Sequence, residues 1–171
     1  MYVPQFLSQS DHRHLLAELS NMPLVDENNL MAPGRLRTFI QPSTRTHQIF
    51  TSPQLTEYFT CVFSTPLEPA ALPSTRRITV PIEYRKYKVG GGGMKWHRDM
   101  SLIGQQYECV YTLTNTSDSY TVRRDWLGNQ YLVWAEPNSL IVVRAKGVMH
   151  GVTPVTTGER SIVKFVFCAP Q

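Results

Sequence analysis

The sequence has few cysteines and no long apolar run, and each of these absences excludes a class of protein. Its three cysteines, Cys61, Cys109 and Cys168, are an odd number without the spacing of a zinc site. They predict buried thiols in a reducing compartment rather than a disulfide scaffold. No stretch is long enough for a transmembrane helix, and the first residues lack a signal sequence. We therefore expect a soluble, intracellular protein, most simply a cytoplasmic one, with no membrane partner.

The charge balance is also modest. Charged residues make up 18% of the 171 residues and hydrophobic residues 42%, with a net charge of +4. These values are typical of a globular protein and argue against disorder, and the length predicts one domain spanning residues 1–171. The one basic cluster, around Arg85, Lys86 and Lys88, is compatible with a nucleic acid, an anionic co-substrate or an acidic peptide.

Two helices are predicted in the N-terminal part of the chain. The first begins at a cap formed by Ser10 or Asp11 and ends before Pro23, and its leucines recur on one face. The second begins at the cap Ser52, with Pro53 at the first helical position and apolar residues at helical spacing after it. Short extended segments are predicted between the helices, at residues 35–40 and 47–50.

After residue 75 the chain consists of short β-branched and aromatic runs separated by turn residues. This spacing predicts a mainly-β fold, in which a double-stranded β-helix (jelly-roll) core is flanked by the two N-terminal helices. Residues 1–75 are then a helical or irregular support, and residues 76–171 are the jelly-roll core. The predicted strands lie at 78–89, 107–114, 120–123, 130–134, 139–144, 149–152 and 160–168.

A short segment just past the middle of the chain carries the first candidate site. Four glycines, Gly90–Gly93, precede a His97-x-Asp99 pair, and in a strand residues i and i+2 point to the same face. With His150 downstream, the pair completes the two histidines and one carboxylate that hold iron(II) in oxygenases. The glycines predict a bent or bulged turn beside the metal, because no Lys-Ser/Thr pair follows them as in a phosphate loop.

The residues after His150 strengthen the metal hypothesis. Arg160 follows ten positions later, at the start of the next predicted strand, so both side chains can face one cavity across a hairpin. A guanidinium binds a carboxylate with two parallel hydrogen bonds, which is what a dicarboxylate co-substrate needs. A surface arginine is the alternative for Arg160 alone. The other histidines are predicted to be surface or capping residues, namely His12, His14 and His47.

Together these motifs resemble the iron(II)/2-oxoglutarate-dependent dioxygenase superfamily, and most of all its prolyl-4-hydroxylase-like branch. The resemblance covers residues 78–167. Its most specific part is the segment His150-Gly-Val-x-Pro-Val-x-x-Gly-x-Arg160. The other matching parts are Tyr87 with the glycine turn and His97-x-Asp99, the strand Cys109-Val-Tyr-Thr-Leu113, and the Pro137-Asn-Ser-Leu-Ile-Val-Val143 strand.

The resemblance implies a role for six residues. His97, Asp99 and His150 would bind iron(II) as the catalytic centre, and Arg160 would hold the distal carboxylate of 2-oxoglutarate. Tyr87 would either donate to the same carboxylate or pack as a core aromatic. The sixth residue is Thr112, on a strand position where relatives place another co-substrate contact. The implied cofactors are Fe(II), 2-oxoglutarate as co-substrate and O2, with ascorbate as a supporting reductant.

Two features depart from the branch. Residues 118–125 replace a Gly-Gly pair that many relatives carry after the central strand, so this part of the rim differs. Arg160 stands where the collagen-type enzymes have lysine. The ligating acid is present rather than replaced by a small residue, which argues against the halogenase variant. Neither departure affects the metal ligands, but both weaken an inference about the substrate.

The resemblance implies an enzyme that hydroxylates a C–H bond, and several substrates stay open. A prolyl or other peptidyl side chain is the first expectation, so the expected partner is a peptide or protein. A free amino acid or other small molecule is the second, and a methylated nucleobase is the third. A protein of a different class, a non-catalytic cupin-like metal-binding protein, would share the jelly roll but would not need Arg160.

Overall fold

The computed structural model describes residues 1–72, 78–102 and 104–170, and these residues form two antiparallel sheets and three helices. The helices are α1 (Gln9–Leu19), α2 (Arg45–Phe50) and α3 (Pro53–Phe63). The strands are β1 (Tyr2–Val3), β2 (Val25–Asp26), β3 (Arg35–Phe39), β4 (Glu68–Pro69), β5 (Glu83–Tyr87), β6 (Met94–His97), β7 (Gln106–Asn115), β8 (Thr121–Arg124), β9 (Gln130–Val133), β10 (Ser139–Arg144), β11 (Met149–Val152) and β12 (Arg160–Cys168).

The major sheet has the strand order β1-β10-β7-β12-β5-β3-β2, with β4 also paired to β12. The minor sheet has the order β6-β11-β8-β9. Strands from the middle and the end of the chain therefore alternate between the two sheets, as in a jelly roll. This confirms the predicted mainly-β, double-stranded β-helix core.

One face of the major sheet packs against the helices and forms the main hydrophobic core. Side chains alternate along a strand, so every second residue of β7 and β12 faces these helices. The aromatic residues are closely packed there, with ring centroids 4.6 Å apart for Phe59 and Phe167 and 4.5 Å for Phe50 and Phe165. The buried residues of this core include Leu15, Leu19, Phe50, Leu55, Phe59, Tyr107, Cys109, Tyr111, Val163, Phe165 and Phe167.

The other face of the major sheet looks toward the minor sheet and is far more polar. Residues of the alternate set on β7 and β12, such as Glu108, Arg160 and Lys164, line a cavity between the sheets. Ion pairs neutralise some of these charges, since Lys164 Nζ lies 2.7 Å from Glu108 Oε2. A charged interior is costly unless its groups are paired or bind a ligand, which marks this face as the one that carries function.

The N-terminal part differs from the expectation in three ways. It contributes strands β1, β2, β3 and β4 to the major sheet, so it is more than a pair of flanking helices. Residues 45–50, which were expected to be partly extended, form the short helix α2, because Thr44 caps it by accepting from His47 N–H. The first helix begins two or three residues earlier than expected, because Ser8 rather than Ser10 or Asp11 is its cap. The caps Ser52 and Pro53 of α3 are confirmed.

Several smaller expectations can be compared with the structure. The strand at 35–40 is confirmed as β3, and β6 is an additional strand. His47, predicted to be a surface or capping residue, is buried, so it is not a surface residue. Cys61 is exposed, so the prediction that it is buried was wrong. The predicted boundary between residues 75 and 76 lies outside the described residues. No helix of the described residues has the length and apolar composition needed to cross a membrane.

The position of Phe59 predicts a large loss of stability on truncation. Phe59→Ala should lower the free energy of unfolding by about 3–5 kcal/mol, because a fully buried ring is replaced by a cavity. Val62→Ala changes the exposed side of the same helix and should cost less than about 1 kcal/mol. Urea unfolding followed by circular dichroism measures both. Equal losses in the two variants would contradict this core.

Candidate metal centre

The pairing of β6 with β11 brings the two predicted histidines together. His97 pairs with His150, and Met94 pairs with Val152, so β6 has one residue more than β11 between these two pairs. An extra residue in one strand is a β-bulge, which re-aims the neighbouring side chains. Met94 and His97 consequently both line the cavity between the sheets, although they are three positions apart. Asp99 lies beyond the end of β6, in the loop that follows.

Glycine is required at two positions around this bulge. A Cβ on Gly151 would lie 2.7 Å from the carbonyl oxygen of Met94, which is too close for any other residue. Gly93 has a φ of +68°, and a Cβ there would lie 2.3 Å from the carbonyl oxygen of Val152. The glycine run is also held by backbone hydrogen bonds, including Gly90 N–H to the Val155 carbonyl at 3.0 Å. It is thus a fixed turn joining β5 to the metal strand.

The three predicted metal ligands meet at one point. One ligand atom from each of His97, Asp99 and His150 can be chosen so that all lie within 4.8 Å of one another. Asp99 is central, with Oδ2 3.2 Å from His150 Nε2 and Oδ1 3.6 Å from His97 Nε2. Bonds of roughly 2 Å from a single ion to all three residues are compatible with this spacing.

Backbone carbonyls orient both imidazoles. His97 Nδ1 lies 2.8 Å from the Lys95 carbonyl oxygen, and His150 Nδ1 lies 3.1 Å from the Val148 carbonyl oxygen. A carbonyl can only accept, so each Nδ1 carries a proton and each ring turns its Nε2 toward Asp99. Two imidazole nitrogens and a carboxylate that converge in this way form a ligand set for a cation.

The contacts among these three side chains shift the pKa values of Asp99 and His150. Burial would raise the pKa of Asp99, but its hydrogen bonds to His150 and His97 hold that pKa well below its usual range. Burial would lower the pKa of His150, but its hydrogen bonds to Asp99 and to the Val148 carbonyl raise it overall. The Asp99 carboxylate thus favours the protonated form of His150.

Arg160 lines the same cavity, which has a volume of about 250 Å³. Its side chain is 1% exposed, and Nη1 donates to Thr121 Oγ1 at 3.1 Å. Nε has no hydrogen-bond partner, and the described residues place no carboxylate in an ion pair with this guanidinium. Burial accordingly lowers the pKa of Arg160, which Tyr87 partly opposes.

A second buried guanidinium borders the cavity and is fully neutralised. Arg35 is 2% exposed, and its Nη2 donates to Glu27 Oε1 at 2.8 Å. Its Nη1 lies 3.3 Å from the hydroxyl of Tyr87. Arg35 is thus paired with a carboxylate of the same chain, whereas Arg160 is a buried cation that would be stabilised by a bound anion.

The two remaining predicted residues differ in position. Tyr87 lines the cavity, pairs with Arg160 across β5 and β12, and also packs on Val155 and Ile162. Because Arg35 can only donate, the Tyr87 hydroxyl accepts from it and keeps its own proton for another acceptor. Thr112 is fully buried on β7, its hydroxyl has no partner, and it does not line the cavity. A contact of Thr112 with the co-substrate stays a prediction.

Comparison with known proteins gives a result only at the level of structure. No family model and no curated protein matches the sequence. Among solved structures, a Pseudomonas putida prolyl-4-hydroxylase is 16% identical and superposes with a TM-score of 0.78, covering 100% of this chain and 92% of that one. An oxidoreductase of the 2OG-Fe(II) oxygenase family from Burkholderia pseudomallei is 13% identical, with a TM-score of 0.76 over 97% of this chain and 84% of that one. The chain has the fold of the 2OG-Fe(II) oxygenases.

A third structure with this oxygenase fold was solved with ligands. HygX from Streptomyces hygroscopicus, with nickel, 2-oxoglutarate and hygromycin B bound, is 11% identical. It superposes with a TM-score of 0.73 over 99% of this chain and 82% of that one. At these identities the likeness establishes the fold alone, and it confirms the resemblance found in the sequence at that level.

The oxygenase fold also brings residues to the cavity that the sequence patterns did not single out. Glu27 and Arg35 reach it from β3 and the loop before it, and Thr121 from β8 contacts Arg160. Their residue types are common on protein surfaces. For Arg35 and Thr121, the alternation of side chains along β3 and β8 was the one sequence signal that they point into the cavity. That alternation cannot reveal which partner a side chain meets across the fold.

The raised pKa of His150 predicts an opposite pH dependence with and without metal. In the metal-free protein, pairing with Asp99 stabilises the fold fully below the ordinary histidine pKa of about 6.5, and this is lost as the pH rises through the raised value. A metal ion binds only neutral imidazole, so its stabilisation grows with pH. Added Mn²⁺ should raise the unfolding temperature little at about pH 5 and clearly at about pH 8.

Differential scanning fluorimetry with and without Mn²⁺ measures this dependence. His150→Gln should remove the stabilisation by Mn²⁺ at either pH. His14→Gln, which changes an exposed histidine on α1, should leave it intact. Stabilisation that persists in His150→Gln would place the metal elsewhere.

Proposed function

We propose that the protein is an iron(II)- and 2-oxoglutarate-dependent dioxygenase that hydroxylates a C–H bond of its substrate. One observation carries the proposal: a single cavity is lined both by a converging His-Asp-His set and by a buried guanidinium that has no carboxylate partner among the described residues. A dicarboxylate with a metal-chelating end matches both groups at once. The metal ligands alone would fit many functions, but Arg160 makes the cavity specific for an anion.

The residues fit an iron(II) ion. His97, Asp99 and His150 supply two neutral nitrogens and one carboxylate, which is the ligand set of non-haem iron oxygenases. Three protein ligands leave other coordination positions of a six-coordinate ion for small molecules. HygX, which shares the fold, was solved with nickel and 2-oxoglutarate, and this supports the same cofactors here.

The residues also fit 2-oxoglutarate. Arg160 would hold the distal carboxylate, with the Tyr87 hydroxyl as a second donor to it. Thr112 is a further candidate contact on the same side of β7 as Glu108 and Val110. Iron(II) with 2-oxoglutarate and O2 supplies the oxidising chemistry, in which the co-substrate is converted to succinate and CO2 while a substrate C–H bond is hydroxylated. Ascorbate would serve as a supporting reductant.

The protein's own contribution is positioning. Lys95 and Val148 fix the histidine rings through their carbonyls, so the metal ligands do not reorganise on binding. Arg160 orients one end of the co-substrate from a site that excludes water. Arg35 holds the Tyr87 hydroxyl as a donor. These fixed dipoles reduce the reorganisation that each reaction cycle requires.

For the substrate we infer a prolyl or other peptidyl side chain first. The fold of a prolyl-4-hydroxylase over the whole chain supports this choice, as does the β8–β9 hairpin. Its tip carries Trp126 and Leu127, which are 91% and 65% exposed, close to the strands that hold the metal ligands. Exposed apolar residues of this kind commonly bind a partner. A free amino acid or small molecule is the alternative, supported by the bound hygromycin B of HygX.

A non-catalytic cupin-like metal-binding protein fits the cavity less well. Such a protein needs the three metal ligands but has no use for a buried arginine that lacks an anion. An un-neutralised guanidinium at 1% exposure costs stability and is best explained by a ligand that neutralises it.

Substitutions of Arg160 and of the metal ligands should have different effects in an activity assay, because the first weakens co-substrate binding and the second removes the metal. Succinate release with iron(II) and ascorbate should require about tenfold to hundredfold more 2-oxoglutarate in Arg160→Gln, because a charge-assisted contact is lost. Arg160→Lys keeps the charge and should recover part of the affinity. His97→Ala and Asp99→Ala should abolish turnover at any concentration of 2-oxoglutarate.

The control for this assay is Arg13→Gln, which removes an exposed guanidinium from α1. It should have the requirement of the unmodified protein. An unchanged requirement in Arg160→Gln would place the co-substrate anchor elsewhere, and turnover in Asp99→Ala would refute the metal assignment.

A further inference from the structure

A second cavity is also lined by His150. It has a volume of about 490 Å³ and lies between β8 and β9 of the minor sheet and β1 and β10 of the major sheet. It shares Thr121, Ile141, Val143 and His150 with the cavity that contains Arg160. The candidate metal centre therefore lies where the two cavities meet, and the second cavity is the larger of the two.

The walls of this second cavity are mostly apolar. Val133 from β9, Ile141 and Val143 from β10, and Val148 from the turn before β11 contribute to them. No carboxylate is among the residues that line it in the described part of the chain. Its charged side chains are two arginines, Arg123 and Arg144, so the space is apolar and positive.

Arg123 is placed next to the metal centre by strand register. His97, His150, Arg123 and Tyr131 are successive cross-strand partners over the four strands of the minor sheet. Paired residues point to the same face and lie roughly 5 Å apart at their Cα atoms, so the arginine is the immediate neighbour of a candidate ligand.

The guanidinium of Arg123 is held in place but not neutralised. It lies over the ring of Tyr131, 4.2 Å from the centroid, and the described residues provide no carboxylate for an ion pair with it. Stacking of this kind fixes the orientation of a cation while leaving its N–H groups free for an anion. A site that is already ordered loses less entropy when it binds a ligand.

We propose that the primary substrate binds in this second cavity as a carboxylate with an apolar body. Arg123 would bind its carboxylate, and Val133, Ile141 and Val143 would contact the part that carries the reacting C–H bond beside the metal. This inference rests on the proposed function, and it adds the substrate class. The carboxylate belongs either to a small apolar acid or to an acidic side chain of a peptide.

Binding beside a paramagnetic metal tests the proposal without turnover. Protein loaded with Mn²⁺ and saturating 2-oxoglutarate would be titrated with 4-methylpentanoate and with 3-phenylpropanoate. The primary amide of each acid would be titrated separately for comparison. Nuclear relaxation of the probe reports both affinity and closeness to Mn²⁺. We expect each acid to bind about tenfold or more tightly than its amide, and Arg123→Gln to remove that preference.

Arg124→Gln is the matched control, because it removes the same charge from the next position of the same strand. Arg124 lies over Trp96, 4.6 Å from the ring centroid, and does not line the cavity. This variant should keep the preference for acids. A blocked peptide with one glutamate beside a proline, compared with its glutamine counterpart, distinguishes the two sources of the carboxylate.

The outcomes separate this proposal from the proposed function. If Mn²⁺ and 2-oxoglutarate do not bind at all, the dioxygenase assignment itself fails. If both bind, but acids and amides relax alike or Arg123→Gln retains the preference, the substrate class is wrong and the dioxygenase assignment stands.

Discussion

The pairing of β6 with β11 is the interaction on which the site depends. It sets His97 opposite His150, and its one-residue bulge turns the first histidine into the space between the sheets. Gly151 makes the pairing possible, because any side chain there would collide with the Met94 carbonyl. The glycine turn before β6 fixes where the strand begins. A metal site built on paired strands is more precise than one built on loops alone.

Electrostatics divides the space around this pairing into parts with different tasks. Asp99 lies between two imidazoles whose Nε2 atoms face it, and this set of donor groups suits a cation. Arg160 is buried without a carboxylate, which calls for an anion, whereas Arg35 already has Glu27. Beyond His150 the walls are apolar and carry Arg123. The metal ion matches the His-Asp-His set, the co-substrate carboxylate matches Arg160, and an apolar substrate with a carboxylate matches the cavity that contains Arg123.

Much of this could be predicted from the sequence, for reasons that are local. The seven β runs and the helix that begins at Ser52 and Pro53 follow from periodicity and capping, and His97-x-Asp99 with Arg160 carried the resemblance to the oxygenases. The bulge, by contrast, depends on how two distant strands pair. The roles of Arg35 and Arg123 depend on whether a carboxylate lies nearby in space. Neither the pairing of distant strands nor the distance to a carboxylate can be read from one amino-acid sequence alone.

Calorimetry of 2-oxoglutarate binding under anaerobic conditions tests the central claim most directly, namely that the triad and Arg160 hold the two ends of one ligand. We predict that 2-oxoglutarate binds the iron(II)-loaded protein, and that binding weakens strongly when the metal is left out, when Asp99 is changed to Ala, or when Arg160 is changed to Gln. Equal affinity with and without iron(II), or equal affinity in Arg160→Gln, would contradict it.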